Sequence, residues 1–203
     1  MTDTLPGPDG KPRCRWCSAA PEFPHYHDTE WGFPVGDDQQ LFEKLCLEGF
    51  QSGLSWRTIL VKRENFRKAF HHFDFNRIAR YTEQDVARLM ADAGIVRHRG
   101  KIEAAINNAQ RAVEMVKAEG SLAAFIWRYE PDAMSCPPPQ SVTTLPESVA
   151  LSKELKKRGW KFVGPTTMFA LMQAMGLVND HVHSCVTRAQ VDKARKAFKR
   201  PGA

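Results

Sequence analysis

Apolar residues recur at three- and four-residue intervals along most of this chain, and alternation with period two is scarce. Asp37 and Asp38 precede a stripe of Leu41, Phe42, Leu45 and Cys46, which predicts a helix running towards Gly49 and Gly53. Ile59, Leu60, Phe66 and Phe70 predict a second helix. Thr82, with Asp85 three residues on, reads as a capping box opening a short helix through Val86, Leu89 and Met90, ended by Gly94. From Gly100, the stripe Ile102, Ala105, Ile106, Ala109, Ala112, Val113 and Val116 predicts a long helix, and Ser121 caps another through Phe125 and Trp127. Residues 131–146, with three consecutive prolines at Pro137, Pro138 and Pro139, predict a loop. Helical spacing resumes over 148–158, breaks at Gly159, restarts after Pro165 and ends near Gly176. The predicted fold class is all-α.

Residues 1–12 carry no such pattern and predict a disordered tail. Residues 13–190 then form a single helical domain, and residues 191–203 a basic, disordered tail. A chain of 203 residues is long enough to bury a real core. No apolar run approaches the ~18 residues needed to cross a bilayer, and the N-terminus has no apolar segment of the secretory kind. The expectation is a cytoplasmic protein with no membrane partner. Twenty-nine basic against 23 acidic residues, a formal charge of +6, suit a polyanionic partner such as nucleic acid.

Five cysteines, Cys14, Cys17, Cys46, Cys136 and Cys185, are an odd number, which argues for metal binding or burial over a disulfide framework. His181 and Cys185 are four apart, a spacing that on a helix puts both on one face. Cys14, Cys17, His25 and His27 form a second cluster near the other end. Two ligands from each would close a tetrahedral site that tethers both termini and leaves no position for substrate, so such a metal would be structural. Spacing does not choose between Cys14 and Cys17.

Longer motifs carry more. Residues 13–16 read RCRW and residues 26–32 YHDTEWG. They are followed by LEGFQSGLSW at 47–56, AGIVRHRGKI at 93–102, LKKRG at 155–159 leading to FVG at 162–164, and GLVNDHV at 176–182. In this order the segments closely resemble the 3-methyladenine DNA glycosylase I family, over nearly all of the predicted domain. The resemblance implies a helix-hairpin-helix glycosylase fold and one structural zinc ion held by Cys14, His27, His181 and Cys185. Cys17 becomes a bystander, and His25 and His183 surface residues. It places Trp16, Tyr26 and Trp56 in an aromatic base pocket and makes Glu48 the catalytic, base-reading carboxylate. Phe23 stands where the family commonly has a tyrosine, so stacking there survives without a hydroxyl contact.

The implied chemistry suits these residue types. A glycosylase extrudes its target nucleotide before it reaches the glycosidic bond. Adenine methylated on N3 is cationic while attached to the sugar. An indole face attracts a cation, and a buried carboxylate accepts a hydrogen bond from the exocyclic amine. The resemblance further implies a hairpin around residues 161–164 that grips the DNA backbone, with Lys161, Gly164 and Thr166 at the phosphates. Gln51 and Leu54 are candidates to fill the gap left by the extruded base. The basic run Arg97, His98, Arg99 and Lys101 is a further candidate phosphate contact. Asn179 occupies the position of the superfamily's catalytic aspartate, and Asp180, displaced by one, is expected to point elsewhere. A cationic base leaves without protonation, and no lysine lies between Gly164 and His181 to form a Schiff base. The expected enzyme is therefore a monofunctional, monomeric hydrolase acting on double-stranded DNA that contains alkylated adenine. Competing readings are a sibling glycosylase of different base preference, and a zinc-stabilised module that senses alkylated bases without cleavage.

Overall fold

Several helices begin where a polar side chain answers the unpaired amides of the first turn. The computed structural model describes residues 3–202, leaving 1, 2 and 203 of the two expected tails outside the described residues. Asp37 accepts from Gln40 N and opens α2 (Asp38–Gln51), after a short α1 (Phe23–Thr29). Ser55 accepts from Thr58 N and opens α3 (Trp56–Ala69). A single turn, α4 (Phe75–Ile78), precedes α5 (Glu83–Ala91), where Thr82 N donates to Asp85 Oδ2 at 3.0 Å in the expected capping box. His98 caps the long α6 (Arg99–Glu119), and Ser121 caps α7 (Leu122–Trp127). Asp38 also accepts from Leu122 N and Ala123 N, so a side chain from the start of α2 holds the start of α7. The chain is all-α apart from one small strand pair.

Across α2, α3, α6, α7, α8 (Pro146–Lys157) and α9 (Pro165–Ala174), buried Leu41, Leu45, Phe50, Phe66, Ile102, Leu151 and Met168 join one continuous core. Among the described residues, no helix is long and apolar enough to cross a membrane. Helices α8 and α9 form the hairpin expected after the proline-rich loop. Its turn is held from outside: Asn108 on α6 accepts from Lys161 N at 2.8 Å and donates to Lys161 O at 2.9 Å. Phe162, at the tip, takes a left-handed φ of 55°. Because Asn108 is buried and satisfies both backbone groups, Asn108→Ala is expected to destabilise the protein by about 2 kcal/mol. The urea midpoint of the variant measures this, and an unchanged midpoint would show that water replaces the side chain.

Both expected disordered tails contain ordered structure instead. Strand β1 (Thr4–Pro6) pairs antiparallel with β2 (Pro12–Cys14), and Arg13 anchors the hairpin through Asp9 and Asp28. Three-residue strands are too short to produce a readable alternation, which is why the pattern of apolar positions missed them. At the other end α10 (Arg188–Ala197) packs through Val191, and the basic residues Arg195 and Arg200 both bind Glu130. Phe198 lies against Trp127, ring centroids 4.6 Å apart. Lys101, expected near phosphates, is buried. Its ammonium donates to the carbonyl oxygens of Phe50 at 2.8 Å and Ser52 at 2.5 Å, so it clamps the turn that follows α2.

Candidate active site and metal centre

The end of β2, helix α1 and the turn between α9 and α10 converge on four buried side chains. Cys14, His27, His181 and Cys185 each point one ligand atom inward, and these atoms all lie within 4.8 Å of one another. His181 and Cys185 come together across an irregular turn, not along a helix face as their spacing suggested. Cys185 N donates to Val182 O at 2.9 Å and closes that turn. The inner separations are 3.1 Å between His181 Nδ1 and His27 Nε2, 3.5 Å from Cys185 Sγ to each, and 3.7 Å from Cys14 Sγ to His181 Nδ1.

The outer ring nitrogens settle the tautomers. His27 Nδ1 lies 2.7 Å from Asp28 Oδ1, and His181 Nε2 lies 2.9 Å from Trp31 O. A carboxylate and a carbonyl only accept, so both outer nitrogens carry the protons and both lone pairs face the centre. Two lone pairs and two sulfurs crowded into a buried space without a hydrogen between the imidazoles is an arrangement that a cation resolves. Asp28 is itself held by Arg13 Nε and Thr187 Oγ1, a supporting layer of the kind that fixes metal-ligating imidazoles. Cys17 is buried outside the quartet, its thiol pushed up to about 11 by burial, and His25 and His183 are exposed.

The Cys/His quartet backs directly onto an aromatic cavity. Trp16 packs edge-on against His27 at 5.3 Å and against Trp31 at 5.0 Å, and Trp31 stacks on His27 at 6.2 Å. Trp16, Tyr26, Trp31 and Trp56 line a cavity of about 160 Å³ together with Glu48, Gln51, Ala170 and Gln173. Glu48 reaches it from the buried face of α2. Phe23 packs edge-on against Trp16, 5.7 Å between centroids, and does not line the cavity.

Glu48, Gln51 and Ala170 also line a larger neighbouring groove of about 290 Å³, formed with Leu54, Thr166 and Thr167. The turn after α2 therefore faces the start of α9 across this groove, and Leu54 projects from it with 41 % of its surface exposed. Lys161 is exposed at the hairpin, but its backbone amide is already donated to Asn108. A side chain at Gly164 would meet nothing closer than Thr167 Oγ1 at 3.8 Å, an ordinary contact, so the fold does not itself demand glycine there. Gly176 is different. Its φ is +80°, and a Cβ would fall 2.5 Å from Pro34 N, so the close crossing behind the pocket requires glycine.

Asn179 is buried and structural: it donates to Arg188 O and Asp192 Oδ1 and accepts from His181 N. Asp180 does not itself line the aromatic cavity but holds Gln173, which does. It accepts from Gln140 N at 2.9 Å and from Gln173 Nε2 at 2.6 Å, and burial raises its carboxyl above the ordinary range.

Trp31, Ala170 and Gln173 line the cavity and escaped the sequence reading, as did Lys44 in the cavity behind it. Gln173 lies on the cavity wall with its amide fixed by Asp180. Lys44 is 5 % exposed, one helical turn before Glu48, and its ammonium sits 2.7 Å from Glu48 Oε1 and 2.9 Å from the Tyr26 hydroxyl. Burial lowers its pKa, while the Glu48 carboxylate opposes that shift. A lysine three residues from Leu41 and four before a glutamate reads in sequence as a solvated helix face. The one available signal was that both fall on the same stripe as Leu41 and Leu45.

A helical domain with a carboxylate-walled aromatic pocket opening into a groove beside a helical hairpin has the architecture of a DNA glycosylase. The chain belongs to the methyladenine glycosylase family, whose model matches residues 16–189. It is 49 % identical over 177 residues to DNA-3-methyladenine glycosylase 1 of Escherichia coli K12, covering 85 % of this chain and 95 % of that protein. It is 48 % identical to DNA-3-methyladenine glycosylase of Haemophilus influenzae, over 85 % of this chain and 96 % of that one. Among solved structures, a 3-methyladenine DNA glycosylase I in complex with 3-methyladenine matches with a TM-score of 0.79 at 36 % identity. That match covers 87 % of this chain and 97 % of the other.

Proposed function

We propose that this protein is a DNA-3-methyladenine glycosylase, a hydrolase of N-glycosidic bonds that acts as a monomer on alkylated double-stranded DNA. The observation that carries the reading is the buried Glu48 in the wall of a small aromatic cavity that continues into an open groove. Its relatives at 49 % and 48 % identity bear that activity in their names. The groove takes the DNA backbone between the Gln51–Leu54 turn and the start of α9. Leu54 enters the stack, the adenine swings into the cavity, and its ring lies among Trp16, Tyr26 and Trp56 while Glu48 accepts from its edge. Thr166 and the amides near Gly164 meet a phosphate at the start of α9, and Lys161 adds a charge beside them.

Hydrolysis needs little acid catalysis, because a cationic purine is already a good leaving group. Orientation of the extruded nucleotide, fixed by the hydrogen bond to Glu48, carries the rate. Water is the nucleophile in this reading. Lys44, the buried lysine next to Glu48, lines the cavity behind Tyr26 and Trp56 and not the base pocket. The ion at the Cys14–His27–His181–Cys185 centre is zinc. A tetrahedron of ~2.3 Å zinc–sulfur and ~2.0 Å zinc–nitrogen bonds would have edges of about 3.3–3.8 Å, close to the four separations of 3.1–3.7 Å given above, within a cluster that spreads to 4.8 Å. With four protein ligands it has no open position, so zinc braces the wall behind Trp16 and Tyr26.

The direct test is chromatography of the bases released from methylated duplex DNA. Release of 3-methyladenine with little 7-methylguanine is expected. Broad release of alkylated purines would point to a glycosylase of wider preference, and no release by folded, metal-loaded protein would leave a module that only binds the lesion.

A further inference from the structure

Lys44 does more than fill space beneath the base pocket. Tyr26 and Trp56 form a wall shared by two cavities: the base pocket on one side and, on the other, a cavity of about 200 Å³ that Lys44 lines. From there its ammonium reaches the centre of the Trp56 ring at 3.4 Å, the Tyr26 hydroxyl at 2.9 Å and Glu48 Oε1 at 2.7 Å. Three components of the base pocket thus share one buried cation. Around it, the other charged side chains of that cavity are already matched: Arg63 binds Glu30 and Arg67 binds Glu43, both as paired contacts.

This placement alters what the pocket measures. A lone buried carboxylate and free indole faces would together favour a cationic purine strongly over a neutral one. Here an ammonium lies against Glu48 and also occupies the quadrupole of Trp56. We propose that Lys44 is a specificity-determining positioning residue of the base site. It neutralises Glu48, commits Oε1 so that Oε2 reads the base, and makes selection depend on shape and hydrogen bonding more than on charge. The proposal rests on the reading of Glu48 as the base-contacting carboxylate.

The test compares two small probes of nearly the same shape: neutral 3-methyladenine and the permanently cationic 3,9-dimethyladeninium. Tryptophan fluorescence quenching gives the affinity of each for the wild type, Lys44→Met, Glu48→Gln and the double variant. Methionine conserves volume and removes charge. Lys44→Met is expected to move the ratio of affinities towards the cation by about tenfold or more, the scale of one unit charge within a few ångströms at a protein-like dielectric. If Lys44→Met alone does not fold, because it leaves Glu48 buried without a partner, the double variant against Glu48→Gln supplies the same comparison. The ratio should again move towards the cation. A ratio unchanged within twofold in these comparisons, with both affinities falling together, would make Lys44 a structural residue and overturn the proposal. Unchanged affinities for both probes in Glu48→Gln, a comparison that does not alter Lys44, would instead remove the reading of Glu48 on which the proposal stands.

Discussion

Cys185→Ala, or removal of the metal by a chelator, is expected to lower the melting midpoint by about 10 °C and to abolish base binding. The centre joins the N-terminal hairpin, α1 and the segment before α10, three pieces that meet nowhere else in a comparable buried cluster among the described residues. In isolated zinc-finger peptides the metal contributes ~10–16 kcal/mol, the whole of folding. Here the core around α2, α6 and α9 forms without it, so the loss is a fraction of that, about 3–5 kcal/mol, in the range seen when a metal or buried network is lost. For a chain of this size each kcal/mol corresponds to ~2–4 °C. Binding suffers more than stability because Tyr26 immediately precedes His27 on α1, and Trp16 rests directly on the His27 ring. Calorimetry of metal-free and metal-loaded protein, with metal content measured in parallel, checks the claim. Equal midpoints in samples that differ in bound metal would remove the structural role.

Glu48→Gln is expected to lower 3-methyladenine excision about 100-fold while leaving affinity for undamaged duplex DNA unchanged. A hydrogen bond to a buried charged group contributes ~1.5–3 kcal/mol, and the variant also leaves the Lys44 ammonium without its counter-charge beside the incoming cationic purine. Both effects act on the extruded base. In the proposed binding mode undamaged DNA is held through the Gln51–Leu54 turn and the start of α9; Glu48 also lines the groove, but a carboxylate does not attract phosphate. Single-turnover excision and a salt-matched binding titration separate the two. Parallel loss of excision and of undamaged-DNA binding would mean that Glu48 holds the groove together and does not read the base.

The helices were legible because their signals are local. Caps at Asp37, Ser121 and Thr82 and the apolar stripes along α2 and α6 are properties of a few neighbouring residues, and the structure places α5 and α6 within a few residues of where those signals point. The family motifs pointed to the four residues that the structure gathers into a Cys/His cluster and to Trp16, Tyr26 and Trp56 on the cavity wall, but not to Trp31, and they included Phe23, which lies outside the wall. Spacing alone could not choose Cys14 over Cys17, because that choice depends on the direction in which β2 and the following turn aim each sulfur. The same limit hid the ordered ends. Arg195 and Arg200 read as solvated charge until Glu130, 65 and 70 residues earlier in the chain, is brought beside them. Lys101 read as a phosphate contact until two carbonyls from the end of α2 met its ammonium.

Lys44 shows the boundary most clearly. Its helical position follows from the chain, but its burial against Trp56, Tyr26 and Glu48 follows from packing α2 on α1 and the start of α3. Helix propensity and apolar period are written in adjacent residues, whereas the surroundings of a charge are set by elements distant in sequence. Whether a polar side chain meets water or a buried partner is therefore a property of the assembled fold.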